Sequence, residues 1–141
     1  MNRFPTGARG SYQLINIIIA GIIVCIFIYS GIFSPISNNY PVSCVHEQLT
    51  GLNCPSCGMS HSFSYILRGD FNSAASWNEY GPRVFLFFLF QLTLRISNLI
   101  ILKKRPALLR SVAIYDIGLS VLSVGLGFWQ FIIYYIGMFS A

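Results

Sequence analysis

Residues 14–33 read LINIIIAGIIVCIFIYSGIF, a run of twenty positions without a charged side chain. At about 1.5 Å per residue, a helix of this length crosses an apolar membrane core of about 30 Å. Signal peptides also place an apolar run after basic residues such as Arg3 and Arg9, but their run is shorter, about 7–15 residues, and a small-residue cleavage site follows it. The stretch therefore predicts a retained membrane-spanning helix.

Two further apolar runs follow, over about residues 83–102 and 112–136, and Lys103-Lys104-Arg105-Pro106 lies between them. Charged residues make up 9 % of the chain and hydrophobic residues 55 %, against about 25 % and 45–50 % in globular proteins. The sequence predicts an all-α membrane protein with three transmembrane helices in a single membrane domain, residues 1–141. An outer loop, residues 34–82, would join the first two helices.

The basic residues are distributed unevenly around the predicted spans. Most of them precede the first span or lie between the second and third, namely Arg3, Arg9, Lys103, Lys104, Arg105 and Arg110. The positive-inside rule then predicts a cytoplasmic N-terminus, with the loop and the C-terminus outside the cytoplasm. Because these cations flank apolar runs, the net charge of +5 is typical of a membrane protein. The expected partners are the lipid bilayer and, as a second candidate, another membrane protein. The net charge does not indicate nucleic acid.

The outer loop contains signals for two short helices. Apolar spacing predicts a helix over residues 60–67, with Gly69 as its C-terminal cap. Asp70 is a suitable N-cap for a second helix over residues 71–77. Both helices are too short to span a membrane, so we expect them to lie along its surface.

The loop also holds Cys54-Pro55-Ser56-Cys57-Gly58, two thiols separated by one tight turn. Such a turn suits metal binding, because both thiolates can reach one ion and Gly58 can adopt a left-handed conformation. Adding Cys44 and His61 gives a Cys3His set, with His46 as an alternative ligand. Zinc is the candidate metal.

Two other uses of the same cysteines are compatible with the sequence. On the oxidising side of the membrane, Cys54 could form a structural disulfide with Cys44 or with Cys57. Alternatively, Cys54 and Cys57 could exchange electrons as a dithiol, although no thioredoxin-like βαβ pattern surrounds them. In each case we expect Cys44, Cys54 and Cys57 to converge at one point just outside the membrane.

A family resemblance rests on this loop: Thr50-Gly51, Cys54-Pro55-Ser56-Cys57-Gly58, Leu67-Arg68-Gly69-Asp70 and Asn78, preceded by Cys44. The order of these motifs resembles a bacterial membrane family known as domain of unknown function 2752. His61 stands where that family usually has Arg, and Glu79 where Pro usually follows Asn. The resemblance implies a small, multi-spanning protein of the bacterial cytoplasmic membrane with a cysteine-rich outer loop. It also implies that a site common to the family does not depend on an imidazole at position 61.

The sequence favours a non-enzymatic subunit or assembly factor. The four acidic residues are scattered, and no carboxylate pair suited to acid–base catalysis is apparent: Glu47, Asp70, Glu79 and Asp116. The alternative is a membrane thiol–disulfide oxidoreductase or a metal-handling accessory that uses Cys54 and Cys57.

Two charged residues, Arg95 and Asp116, fall inside the predicted spans, while Arg83 lies at the border of the second span. Gln91, Arg95 and Asn98 share one helical face, which we expect to turn inward because unpaired charge in lipid is costly. Asp116 lies a little over one turn into the third span, where the long side chain of Arg95 can reach it by leaning towards the cytoplasm, so the sequence predicts an Arg95–Asp116 pair. The small residues Ser123 and Gly127 predict close packing within the monomer.

Overall fold

The computed structural model describes residues 6–33 and 56–139, and within them the chain is helical without strands. Three long helices are present: α1 (Thr6–Ile32), α4 (Gly81–Lys104) and α5 (Leu109–Phe139). Two short helices, α2 (Met59–Leu67) and α3 (Phe71–Trp77), precede α4, and a 3-10 turn, Pro106–Leu108, joins α4 to α5. The predicted all-α class is confirmed for these residues.

Each long helix is long and apolar enough to cross a membrane. The predicted spans lie within them, except for Phe33, which follows the end of α1. The helix α1 begins eight residues before the predicted span, and this first part contains Arg9 and Tyr12, polar residues that bond to neighbouring helices. Hydropathy marks the apolar centre of a helix and not its ends.

The surface of the bundle is apolar and its interior is partly polar. Only 17–28 % of the residues in the three apolar stretches are buried, while Asn16, Arg95 and Asp116 are among the buried residues. In water this distribution would expose a large apolar area. It is the distribution that a helical bundle surrounded by lipid requires.

Helix α4 is the central helix and runs antiparallel to both other long helices. Arg9, near the start of α1, donates from Nη2 to the carbonyl of Leu102, near the end of α4, at 2.9 Å. At the other end, the exposed Arg83 donates to Gln130 Oε1 at 2.7 Å. Close packing of α4 with α5 is confirmed at Gly127, where an added Cβ would lie 3.2 Å from the Cβ of Phe87.

The two short helices form a cap on the end of the bundle opposite Leu102. Its core joins Phe63 and Ile66 of α2 with Ala74 of α3 and with Val84 and Phe85 of α4. Ser64 Oγ donates to the carbonyl of Phe33 at 2.7 Å, which fixes α2 to the end of α1. The cap therefore contacts two of the three long helices.

Local signals fix the end of α2 and the start of α3, as the sequence predicts. Gly69 has φ 84°, and the amides of Gly69 and Asp70 bond back to the carbonyls of Ile66 and Tyr65, so α2 ends in a Schellman motif. Asp70 Oδ1 then accepts from the amide of Ser73 at 3.0 Å and caps α3.

Gly58 is required for two separate reasons. Its φ is 76°, and an added Cβ would lie 2.7 Å from the carbonyl oxygen of Trp77. Gly69 shares the positive φ, but nothing lies within 4 Å of its Cβ position. A side chain at position 69 would therefore cause backbone strain alone, whereas a side chain at position 58 would cause both backbone strain and steric overlap.

We expect Gly58→Ala to lower the free energy of unfolding more than Gly69→Ala does. Both changes strain a left-handed residue by roughly 1–2 kcal/mol, and only the first adds an overlap, costing about 1–3 kcal/mol more. Denaturant unfolding in detergent micelles measures the free energy of unfolding of both variants. Equal losses would show that the contact with Trp77 does not restrict position 58.

Candidate functional site

A buried ion pair joins α4 to α5 within the apolar part of the bundle. Arg95 Nη1 donates to Asp116 Oδ2 at 2.5 Å, and the two residues are 6 % and 4 % exposed. The predicted Arg95–Asp116 pair is confirmed. Residues Gln91 and Asn98 are also buried, so the predicted inward face of α4 is confirmed as well.

The guanidinium of Arg95 bonds to all three long helices. Besides Asp116, Nη1 reaches Asn16 Oδ1 of α1 at 3.2 Å. Its Nη2 donates to Gln91 Oε1 at 2.9 Å and to Ser120 Oγ at 2.6 Å. Arg95 is therefore the centre of a polar network, to which Gln91 Nε2 adds a bond to Ser123 Oγ at 2.7 Å.

Helix α1 supplies two polar residues that the sequence analysis missed. Tyr12 Oη donates to Asp116 Oδ2 at 2.7 Å and accepts from Asn98 Nδ2 at 3.2 Å. Asn16, which is fully buried, donates to the carbonyl of Tyr12 at 2.8 Å. Asn16 is the amide within the uncharged run 14–33, and an amide in such a run is a signal for an interhelical hydrogen bond.

The network leaves two buried atoms without a hydrogen-bond partner among the described residues, Arg95 Nε and Asp116 Oδ1. The pair itself carries no net charge, so its members neutralise each other inside the apolar bundle. A buried pair of this kind contributes little net stability compared with apolar residues, but breaking it is costly. The role that this network can fill is structural: it aligns the three long helices in one specific arrangement.

The cysteine loop is described only from Ser56 onward. The predicted ligands Cys44, His46 and Cys54 lie outside the described residues, so their convergence stays a prediction. The described residues contain no group of three His, Cys, Asp or Glu side chains placed to hold a metal ion.

Two of the predicted ligands, Cys57 and His61, are described. The ring of His61 stacks on Trp77 with 4.5 Å between centroids and 14° between planes. Burial lowers the pKa of His61 from its ordinary value, so the neutral imidazole is favoured in the folded protein. The Cys57 carbonyl accepts a hydrogen bond from Asn78 Nδ2 at 2.8 Å.

Asn78 holds the cysteine turn against the start of α4. While Nδ2 binds Cys57, Oδ1 accepts from the amide of Tyr80 at 2.9 Å, and the carbonyl accepts from the amide of Gly81 at 3.0 Å. Gly81 allows a close approach there, since an added Cβ would overlap the side chain of Ser62. The sequence analysis used Asn78 for the family resemblance without recognising this clamp.

Basic and acidic residues of the cap bond to backbone groups. Arg68 donates to the carbonyls of Ser64 and Gly31 at 2.9 and 3.1 Å, and so caps the end of α1. The hydrogen bonds from Ser73 lower the pKa of the Asp70 carboxyl. Because the pKa of Asp70 is lowered in the folded state, the hydrogen bond that caps the N-terminus of α3 persists as the pH falls, until the pH reaches that lowered pKa.

A comparison with family models matches residues 44–92 to a protein of unknown function (DUF2752). The match covers about a third of the chain and confirms the resemblance inferred from the cysteine loop. No curated protein and no solved structure matches the chain.

A double-mutant cycle on Arg95→Ala and Asp116→Ala tests the ion pair. We expect each single change to lower the free energy of unfolding by about 3–5 kcal/mol, because the other charge stays buried without its partner. The coupling energy should be about 1–3 kcal/mol, measured by denaturant unfolding in micelles.

The exposed pair Arg83 and Gln130 is the matched control, since it joins the same two helices. Its coupling energy in the same assay should be at most about 1 kcal/mol. Additive losses at positions 95 and 116 would mean that the two charges do not interact.

Proposed function

We propose that this chain is an integral protein of the bacterial cytoplasmic membrane that acts as a non-enzymatic subunit or assembly factor. Its three long helices would cross the membrane and hold a cysteine-organised loop on the extracytoplasmic side. The observation that carries this proposal is the clamp of Asn78 on Cys57. It supports a loop whose end is fixed to a membrane-spanning helix.

The use of polar groups in the cap supports a structural role. Arg68 and Asp70 bond to the ends of helices, and Gly58 packs against the backbone of Trp77. These residues belong to the segment that carries the family resemblance. These contacts explain the segment as a unit that stabilises the fold, and none of them requires a catalytic role.

The loop would be organised by Cys44, Cys54 and Cys57. In the metal-bound form these thiolates hold zinc, with His61 or His46 as the fourth ligand. In the oxidised form two of them make a disulfide. Both forms bring the sulfur atoms of Cys44, Cys54 and Cys57 close together. The proposal is therefore that these three sulfur atoms converge, in either form.

Serine substitutions test the convergence. We expect Cys44→Ser, Cys54→Ser and Cys57→Ser to destabilise the protein, by about 2–5 kcal/mol where a disulfide is lost. Denaturant unfolding measures the loss. Elemental analysis for zinc and a thiol count on the unmodified protein then assign the form.

Cys25→Ser is the matched control, because Cys25 is a free and exposed cysteine of α1. We expect it to leave both the stability and the zinc content unchanged. Equal effects at all four positions would contradict a cysteine-organised loop. A Cys54→Ser variant that keeps full stability but loses thiol–disulfide exchange would favour the oxidoreductase alternative.

Reporter fusions test the proposed orientation. A reporter that is active only after export, fused after Ala141, should be active, because the third span would bring the C-terminus out of the cytoplasm. The same reporter fused within the turn Pro106–Leu108 is the control and should be inactive. The opposite pattern would invert the topology and remove the oxidising surroundings assumed for the cysteines.

A further inference from the structure

The end of the bundle that contains the turn Pro106–Leu108 collects five of the described basic residues. Four of them are exposed and Arg9 is partly buried: Arg9, Lys103, Lys104, Arg105 and Arg110. Arg9 belongs to this group because its guanidinium bonds to Leu102. We refer to these five residues as the basic end.

The helix termini add to the positive potential there. Both α1 and α5 begin at the basic end, and neither has an acidic residue in its first turn. A helix N-terminus is the positive end of the helix dipole, so Arg9 and Arg110 are unfavourably placed for their own helices. The negative C-terminus of α4 is already matched by Lys103 and Lys104 in its last turn.

The described acidic residues do not neutralise this charge. Asp116 is the acidic residue of α5, and its buried carboxylate bonds to Arg95 and Tyr12. At the opposite end the described charges balance, with Arg68 and Arg83 against two acidic residues, Asp70 and Glu79. The excess positive charge of the described residues therefore lies at one end.

We propose that the basic end binds the phosphate headgroups of anionic phospholipids. Arginine and lysine donate charge-assisted hydrogen bonds to phosphate oxygens. The apolar stretches Gly81–Lys104 and Pro106–Ile133 adjoin these cations directly, so a bound anion would lie at headgroup depth. The exposed Leu108, on the turn between Arg105 and Arg110, adds apolar contact with the acyl chains.

This inference rests on the proposed membrane insertion but not on the cysteines. Native mass spectrometry of the full chain, released from micelles that contain phosphatidylglycerol and phosphatidylcholine, measures the preference. We expect the unmodified protein to retain phosphatidylglycerol. The triple variant Lys103→Gln, Lys104→Gln, Arg105→Gln should lower its relative association constant by roughly 100-fold, at about fivefold for each charge.

Arg83→Gln is the control, since it removes an exposed cation from the opposite end and should keep the preference. Arg110→Gln provides a second variant, expected to show about a fivefold loss, if the triple variant does not fold. Equal retention of both lipids, or full retention by the variants, would overturn the proposal. Retention of inorganic phosphate in place of either lipid would also overturn it, because the site would then bind free phosphate. Insertion itself is judged separately by the reporter fusions.

Discussion

The ion pair of Arg95 with Asp116 constrains the arrangement of the long helices. An apolar bundle gives little rotational preference to helices that are apolar on nearly every face, because lipid contacts are equivalent all round. A buried guanidinium changes this, since several neighbours must supply oxygen atoms to it. Asn16 and Asp116 do so from α1 and α5, so one side chain of α4 fixes the rotation of all three helices.

Polar side chains also join the ends of helices to neighbouring segments. The last carbonyls of a helix lack partners within it, and here each of two C-termini receives an arginine from another segment. Arg9 reaches the carbonyl of Leu102 in α4, and Arg68 reaches that of Gly31 in α1. These bonds lie at opposite ends of the bundle. The bond from Arg9 and the central network hold α1 against α4, and the bond from Arg68 holds the other end of α1 against α2.

Local chemistry made part of this structure predictable. The Schellman ending at Gly69, the cap at Asp70 and the left-handed Gly58 each depend on neighbouring residues, and the sequence analysis located all three. The pair of Arg95 and Asp116 is predictable because both lie near the same short turn, within reach of the long Arg95 side chain. Tyr12 and Asn16 were missed because their contacts depend on how α1 rotates and where it begins, which hydropathy does not reveal. The clamp at Asn78 was missed because it bonds to a backbone carbonyl 21 residues away.

The family match ends at residue 92, and this boundary divides the molecule into two parts with different physical roles. The cap and the first half of α4 lie within it, including Asn78 and Gln91. Arg95, Asp116 and the two polar residues of α1 lie outside it. The matched segment thus joins the turn at Cys57 to the start of α4 and, through Ser64 and Arg68, to the end of α1. The ion-pair network joins α4 to the two other long helices, and Gln91, which bonds to Arg95, connects the matched segment to that network.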